Sequence, residues 1–175
     1  MKFSELSLNG AFLIELEPSA DVRGTFARQF CKKEFKNHGI DFEVCQCNLS
    51  TNYKKGTLRG LHYQKGVYSE SKIVSCIKGA LYDVIVDLRE DSPTYLHAQG
   101  VELSEDNNRM LYIPQGFAHG FQTVKDNTVV YYQMGNYFEP QQAFGLRWND
   151  QKFAIKWPEC EHRIINERDN SYELL

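Results

Sequence analysis

The sequence lacks any long apolar run. Nowhere does it offer the roughly 20 consecutive apolar residues that cross a bilayer, and its opening MKFSELSLNG places charge and polarity where a secretory signal needs an apolar core. It also lacks a basic excess. Twenty Lys and Arg against 23 Asp and Glu leave a net charge of −3, which excludes a general nucleic-acid-binding face. Cysteine is scarce and odd in number: Cys31, Cys45, Cys47, Cys76 and Cys160 form no disulfide framework and read as reduced thiols of a cytoplasmic protein. Cys45 and Cys47 stand two apart in a predicted strand and so share a face. No second Cys or His pair follows at ligand spacing, so a zinc site is not expected and the thiols are expected to fill core. Repeats, low-complexity tracts and linkers are absent too. At 175 residues with 42% hydrophobic content, the composition fits one globular domain spanning 1–175.

What is present is a rhythm of turns. Asn9-Gly10, Lys55-Gly56, Lys65-Gly66, Lys78-Gly79, Asp91-Ser92-Pro93, Pro114 to Gly116 and Glu139-Pro140 punctuate short runs rich in Val, Ile, Tyr, Phe and Thr. Those runs predict strands over Thr57 to Gln64, Ser71 to Ile77, Ala80 to Leu88, Val101 to Leu103, Arg109 to Ile113, Phe117 to Val124 and Thr128 to Tyr137. Only Cys31 to Asn37 predicts a helix. Many short strands with glycine-bearing turns imply an all-β antiparallel sandwich or small barrel. Function is then to be sought where polar residues interrupt apolar strands.

Three interruptions stand out. Leu58-Arg59-Gly60-Leu61-His62-Tyr63-Gln64 places an arginine and a histidine inside one strand. Strict alternation sets Arg59 and His62 on opposite faces; they share a pocket only if Gly60 marks a bulge or Arg59 acts across a subunit boundary. Ser71-Lys72-Ile73-Val74 puts an ammonium on an apolar ribbon, where it must meet a carboxylate or an anionic ligand, or snorkel outward. In Ala80 to Leu88, Asp83, Ile85 and Asp87 share one face. Asp83 is a candidate to orient the imidazole of His119, while Asp87 can pair with Arg89 or Lys78.

Pro114-Gln115-Gly116-Phe117-Ala118-His119 resembles the second motif of the cupin superfamily, whose jelly-roll pockets often hold a metal. The matching first motif here reads His62-Tyr63-Gln64, without its second histidine. A three-ligand site cannot be assembled at those positions, so the expectation is a metal-free barrel with both histidines available for proton transfer or binding. One of Tyr131 and Tyr132 faces the cavity; spacing alone leaves the choice open. Ile164 to Asp169, taken by itself, reads as a surface tail.

Taken together, Arg23-Gly24 with Phe26, GTLRGLHYQ, SKIV, YDVIVDLREDSPTY, LYIPQGFAHGF, YYQMGNYFEP, RWND and IKWP resemble the dTDP-4-dehydrorhamnose 3,5-epimerase family from about Arg23 to Asp169. The resemblance implies a cupin-type jelly roll with one or two short peripheral helices, usually a homodimer, acting on a nucleotide-diphosphate sugar without cofactor. It implies His62 as the base beside a C4 ketone, Asp169 as its partner, Tyr132 as the donor on the opposite sugar face and Lys72 facing the enolate oxygen. Arg23, Phe26, Gln46, Asn48, Arg59, His119 and Arg168 fall where the family holds nucleotide and sugar. Arg28, Phe138 and Ala143 depart from the family pattern, and Arg168 replaces its Lys with charge kept. These departures bear on recognition of the carrier and sugar, not on the proton-moving set.

Overall fold

A computed structural model describes residues 1–175. Thirteen strands follow one another: β1 (Lys2–Glu5), β2 (Phe12–Glu15), β3 (Ser19–Asp21), β4 (Gly24–Phe26), β5 (Gln46–Asn52), β6 (Leu58–Gln64) and β7 (Lys72–Lys78) come first. Then come β8 (Ala80–Asp87), β9 (Ala98–Ser104), β10 (Arg109–Ile113), β11 (Phe117–Thr123), β12 (Thr128–Met134) and β13 (Ala143–Gly145). The helices α1 (Lys32–Asn37) and α2 (Glu167–Ser171) are short. The strands build two antiparallel sheets, of order β1-β2-β10-β7-β12-β5 and β13-β6-β11-β8-β9, while β3 and β4 stand apart as a hairpin. This is the expected all-β jelly-roll sandwich. No helix is long and apolar enough to cross a membrane.

Period-two alternation explains where each side chain goes. Along β8, Leu81 and Ile85 enter the core between the sheets, whereas Val84 and Val86 pack on the outer face of the five-stranded sheet with Leu61, Ala118, Leu146 and Phe153. On the six-stranded sheet, Val74, Cys76, Leu111, Ile113 and Val130 face the same inter-sheet core. Its outer face, with Ile14, Ile73, Met110 and Tyr112, is covered by Phe35 of α1 and by Ile40 and Phe42. Three apolar layers thus sandwich two sheets. The inward row of β7 starts with Lys72, that of β12 ends in Tyr132 and Met134, and that of β8 carries Asp83. At this end the inter-sheet space becomes polar.

Two expectations change. Cys45 and Cys47 are exposed, not core, and only Cys76 of the five thiols is buried; the edge strand β5 turns that face to solvent. Ile164 to Asp169 is no mere surface tail, because α2 buries Asp169 to 1%.

Candidate active site

A cavity of about 310 Å³ opens at this polar end, lined among others by Asn48, Arg59, His62, Lys72, His119, Tyr132 and Asp169. The five-stranded sheet contributes Arg59, His62 and His119; the six-stranded sheet contributes Asn48, Lys72 and Tyr132. The pairing of β6 with β11 explains how Arg59 and His62 share the pocket. His119 faces His62 and Phe121 faces Arg59, so three steps along β6 match two along β11. The extra residue is a bulge around Gly60, whose φ is +110° and whose missing Cβ would meet Gly120 Cα at 2.6 Å and His119 O at 2.7 Å. Only glycine fits there.

His62 Nε2 donates to Asp169 Oδ1 at 2.7 Å, and the other oxygen of that carboxylate accepts the Gly60 N–H at 2.9 Å. Asp169 is delivered by α2, whose Asn166 caps the helix by accepting the Asp169 N–H at 2.7 Å. Burial pushes the Asp169 carboxyl up, but the His62 and Gly60 hydrogen bonds outweigh it and hold the group below its ordinary value. An ionised Asp169 fixes the Nε2–H tautomer and leaves the Nδ1 lone pair of His62 free as a base.

His119 Nε2 meets Asp83 Oδ1 at 2.6 Å, so the expected partnership forms. Asp87 instead accepts from Arg89, Ser92 and Thr94 at its strand end. Of the tyrosine pair, Tyr132 lines the pocket, and Tyr131, one residue out of phase, lies on the outer face near Cys47. Burial and the negative charge of Asp83 push the Tyr132 phenol far above its ordinary value, against a lowering by Arg59. This phenol stays protonated. Its ring meets the His119 ring edge-on, with centroids 6.0 Å apart.

Lys72 does not snorkel. Its Nζ lies 2.8 Å from Glu70 Oε1, with both side chains buried, which supplies the carboxylate that a sequestered ammonium requires. Glu70 gives no sign of its role in the sequence: it precedes the strand and carries no periodic signal. The same is true of Asn166. Gln64, standing where a second cupin histidine would be, donates to the Tyr68 and Tyr137 carbonyls and accepts the Glu139 N–H, so it braces loops.

The other residues singled out from sequence sit at varying distance. Arg168 lines an adjoining cleft of about 190 Å³ that shares His62, Lys72 and Met134 with the main pocket and is walled by Phe138, Ala143 and Phe144. Gln46 accepts the Phe138 N–H beside that cleft. Arg28 pairs with Glu34 by α1. Arg23 and Phe26 lie exposed on the β3–β4 hairpin, where Arg23 pairs with Asp21, and they line a separate hollow. A single chain does not bring them to the pocket.

A jelly roll that sets an imidazole of one sheet, paired with a carboxylate from α2, against a buried phenol and an ammonium of the other sheet is the framework of an acid–base isomerase. Comparison with known proteins makes the class specific. The family model described as dTDP-4-dehydrorhamnose 3,5-epimerase matches residues 5–175. The enzyme of that name from Sinorhizobium fredii is 39% identical over 175 residues, spanning 100% of this chain and 90% of that one. The Bacillus anthracis enzyme, solved with TDP and PPi bound, superposes with a TM-score of 0.95 at 40% identity, covering 99% of each chain. That of Legionella pneumophila, solved in complex with dTDP-4-keto-L-rhamnose, gives 0.94 at 34% identity, covering 99% of this chain and 92% of that one. The chain belongs to the dTDP-4-dehydrorhamnose 3,5-epimerase family.

Proposed function

We propose that the protein inverts C3 and C5 of dTDP-4-dehydro-6-deoxyglucose, giving dTDP-4-dehydrorhamnose, by moving protons beside the C4 ketone. The observation that carries this reading is the placement of a free imidazole nitrogen and a protonated phenol on opposing sheets of one pocket, with a buried ammonium beside them. Inversion requires removal of a proton from one ring face and delivery to the other. His62 Nδ1 takes the proton, the C–H electron pair moves into the C4 carbonyl, and Lys72 stabilises the resulting enolate oxygen. Tyr132 returns a proton from the opposite face. Preorganised donors at such an oxygen contribute roughly 3 kcal/mol each, and placed acid–base groups about 10²–10⁴-fold.

Arg59, Asn48, Gln46, His119 and Arg168 hold the nucleotide sugar, the arginines suiting a diphosphate through their paired donors. The exposed Arg23 and Phe26 serve the site of a second copy, so the working unit is a homodimer acting in the cytosol. The carrier is dTDP, as in the names of the relatives.

Incubation with dTDP-4-dehydro-6-deoxyglucose in deuterated water, followed by NMR, tests the reading. Deuterium at both C3 and C5 is expected, with His62→Ala abolishing it. Label at one carbon would replace the reading with a one-centre epimerase, and no label at either would overturn it.

A further inference from the structure

The catalytic imidazole has a third neighbour besides Asp169 and the pocket. Tyr172, just past α2, packs its ring edge-on to His62, with centroids 6.3 Å apart and planes at 76°. It can approach because β13 pairs Gly145 opposite His62. Any Cβ at Gly145 would collide with the Tyr172 ring, so glycine leaves the hollow that the ring fills. The Tyr172 carbonyl accepts from Arg147 Nη1 at 3.0 Å, which ties this turn to the segment after β13. The phenolic oxygen, by contrast, is buried with no hydrogen-bond partner. A buried hydroxyl without a partner costs stability. The ring, not the hydroxyl, is therefore what this position uses.

We infer that Tyr172 is a positioning residue for His62, its ring wedged over Gly145 so that the imidazole keeps Nε2 on Asp169 and Nδ1 toward the sugar. The inference rests on the proposed role of His62 as base. The single hydrogen bond from Nε2 to Asp169 fixes one corner of the ring but leaves it free to rock about that contact; a packed aromatic removes the rocking. Displacement of a base by about 1 Å costs on the order of 10²-fold in rate.

The test compares Tyr172→Phe, Tyr172→Ala, Gly145→Ala and the double Gly145→Ala/Tyr172→Ala variant by deuterium exchange, dTDP binding and the NMR line of the His62 Cε1 proton. Tyr172→Phe should keep the wild-type exchange rate and a sharp line. Tyr172→Ala should lose about tenfold or more in exchange, with dTDP affinity within about twofold and a broadened line. Gly145→Ala should do the same by expelling the ring, and the double variant should be no worse than Tyr172→Ala, since both changes act through one contact. Folded Ala variants that retain exchange and a sharp line would overturn the inference. So would a phenylalanine variant as impaired as alanine, or a loss of dTDP binding in step with exchange. Should the wild type itself show no exchange, the role of His62 falls, and the NMR line alone then decides whether the ring is held.

Discussion

At the level of single residues, burial and charge decide which protonation states the pocket can use. Tyr132 is driven upward by burial first and Asp83 second, so it should remain a phenol well past pH 10, the usual value for tyrosine. An ultraviolet titration of wild type minus Tyr132→Phe should show no tyrosinate signal from this residue at pH 10; a normal signal would remove its claim to be the returning acid. The same substitution should spare deuterium exchange more than net inversion. Lys72 depends on Glu70 for its counter-charge. Glu70→Ala strands a buried ammonium, at a cost of about 3 kcal/mol in stability, measurable by urea denaturation, and should slow exchange with it.

Asp87 shows the same physics without catalysis. Burial would raise its carboxyl, but donors from Arg89, Ser92 and Thr94 hold it well below the carboxylate range. A carboxyl whose native value lies below its unfolded value of about 3.9 stabilises the fold fully above that pH, and the contribution drains away as pH falls toward the native value. Asp87→Asn should therefore cost about 3 kcal/mol at pH 7, and its deficit relative to wild type should shrink below about pH 4. Melts at pH 7 and pH 3 check this; an equal deficit at both would contradict it.

At the level of elements, the bulge at Gly60 is what turns a strand into a site. Gly60→Ala forces a Cβ into the backbone of His119 and Gly120 and a left-handed φ on alanine, so it should destabilise the protein by at least about 2 kcal/mol and abolish exchange. Much of this was legible in advance. β10 was predicted residue for residue, and β6, β7, β8 and β11 within one or two residues, because their apolar alternation is strong and their turns carry glycine. The conflict between Arg59 and His62 was visible as a failure of alternation, with Gly60 as one of its two resolutions. The hairpin β3–β4 and the helix α2 were not legible, since Ser19 to Phe26 and Asn166 to Ser171 are short and mostly polar. Asp169 became recognisable only through family likeness: its partner His62 lies 107 residues away, and no local pattern encodes such a contact. The exposure of Cys45 and Cys47 is hidden in the sequence for a related reason, because residue type does not announce which strand will be an edge.

At the level of the whole molecule, the exposed hairpin frames a question of assembly. Sedimentation should report a dimer. If Arg23 serves its neighbour's pocket, mixing inactive Arg23→Ala and His62→Ala chains should restore about a quarter of wild-type turnover, since half the dimers are then mixed and each holds one intact site. No recovery after verified subunit exchange would place Arg23 elsewhere.

The opposition of the two sheets has a mechanical corollary. The span between His62 and Tyr132, the base and acid proposed above, is a sandwich thickness, held by the same apolar layer that holds the fold. Phe121 belongs both to that layer and to the pocket wall. A hydrophobic substitution there that swells or thins the filling should alter the ratio of label uptake to stereochemical turnover without removing a single polar atom. In this protein the spacing of the chemistry is a property of the core.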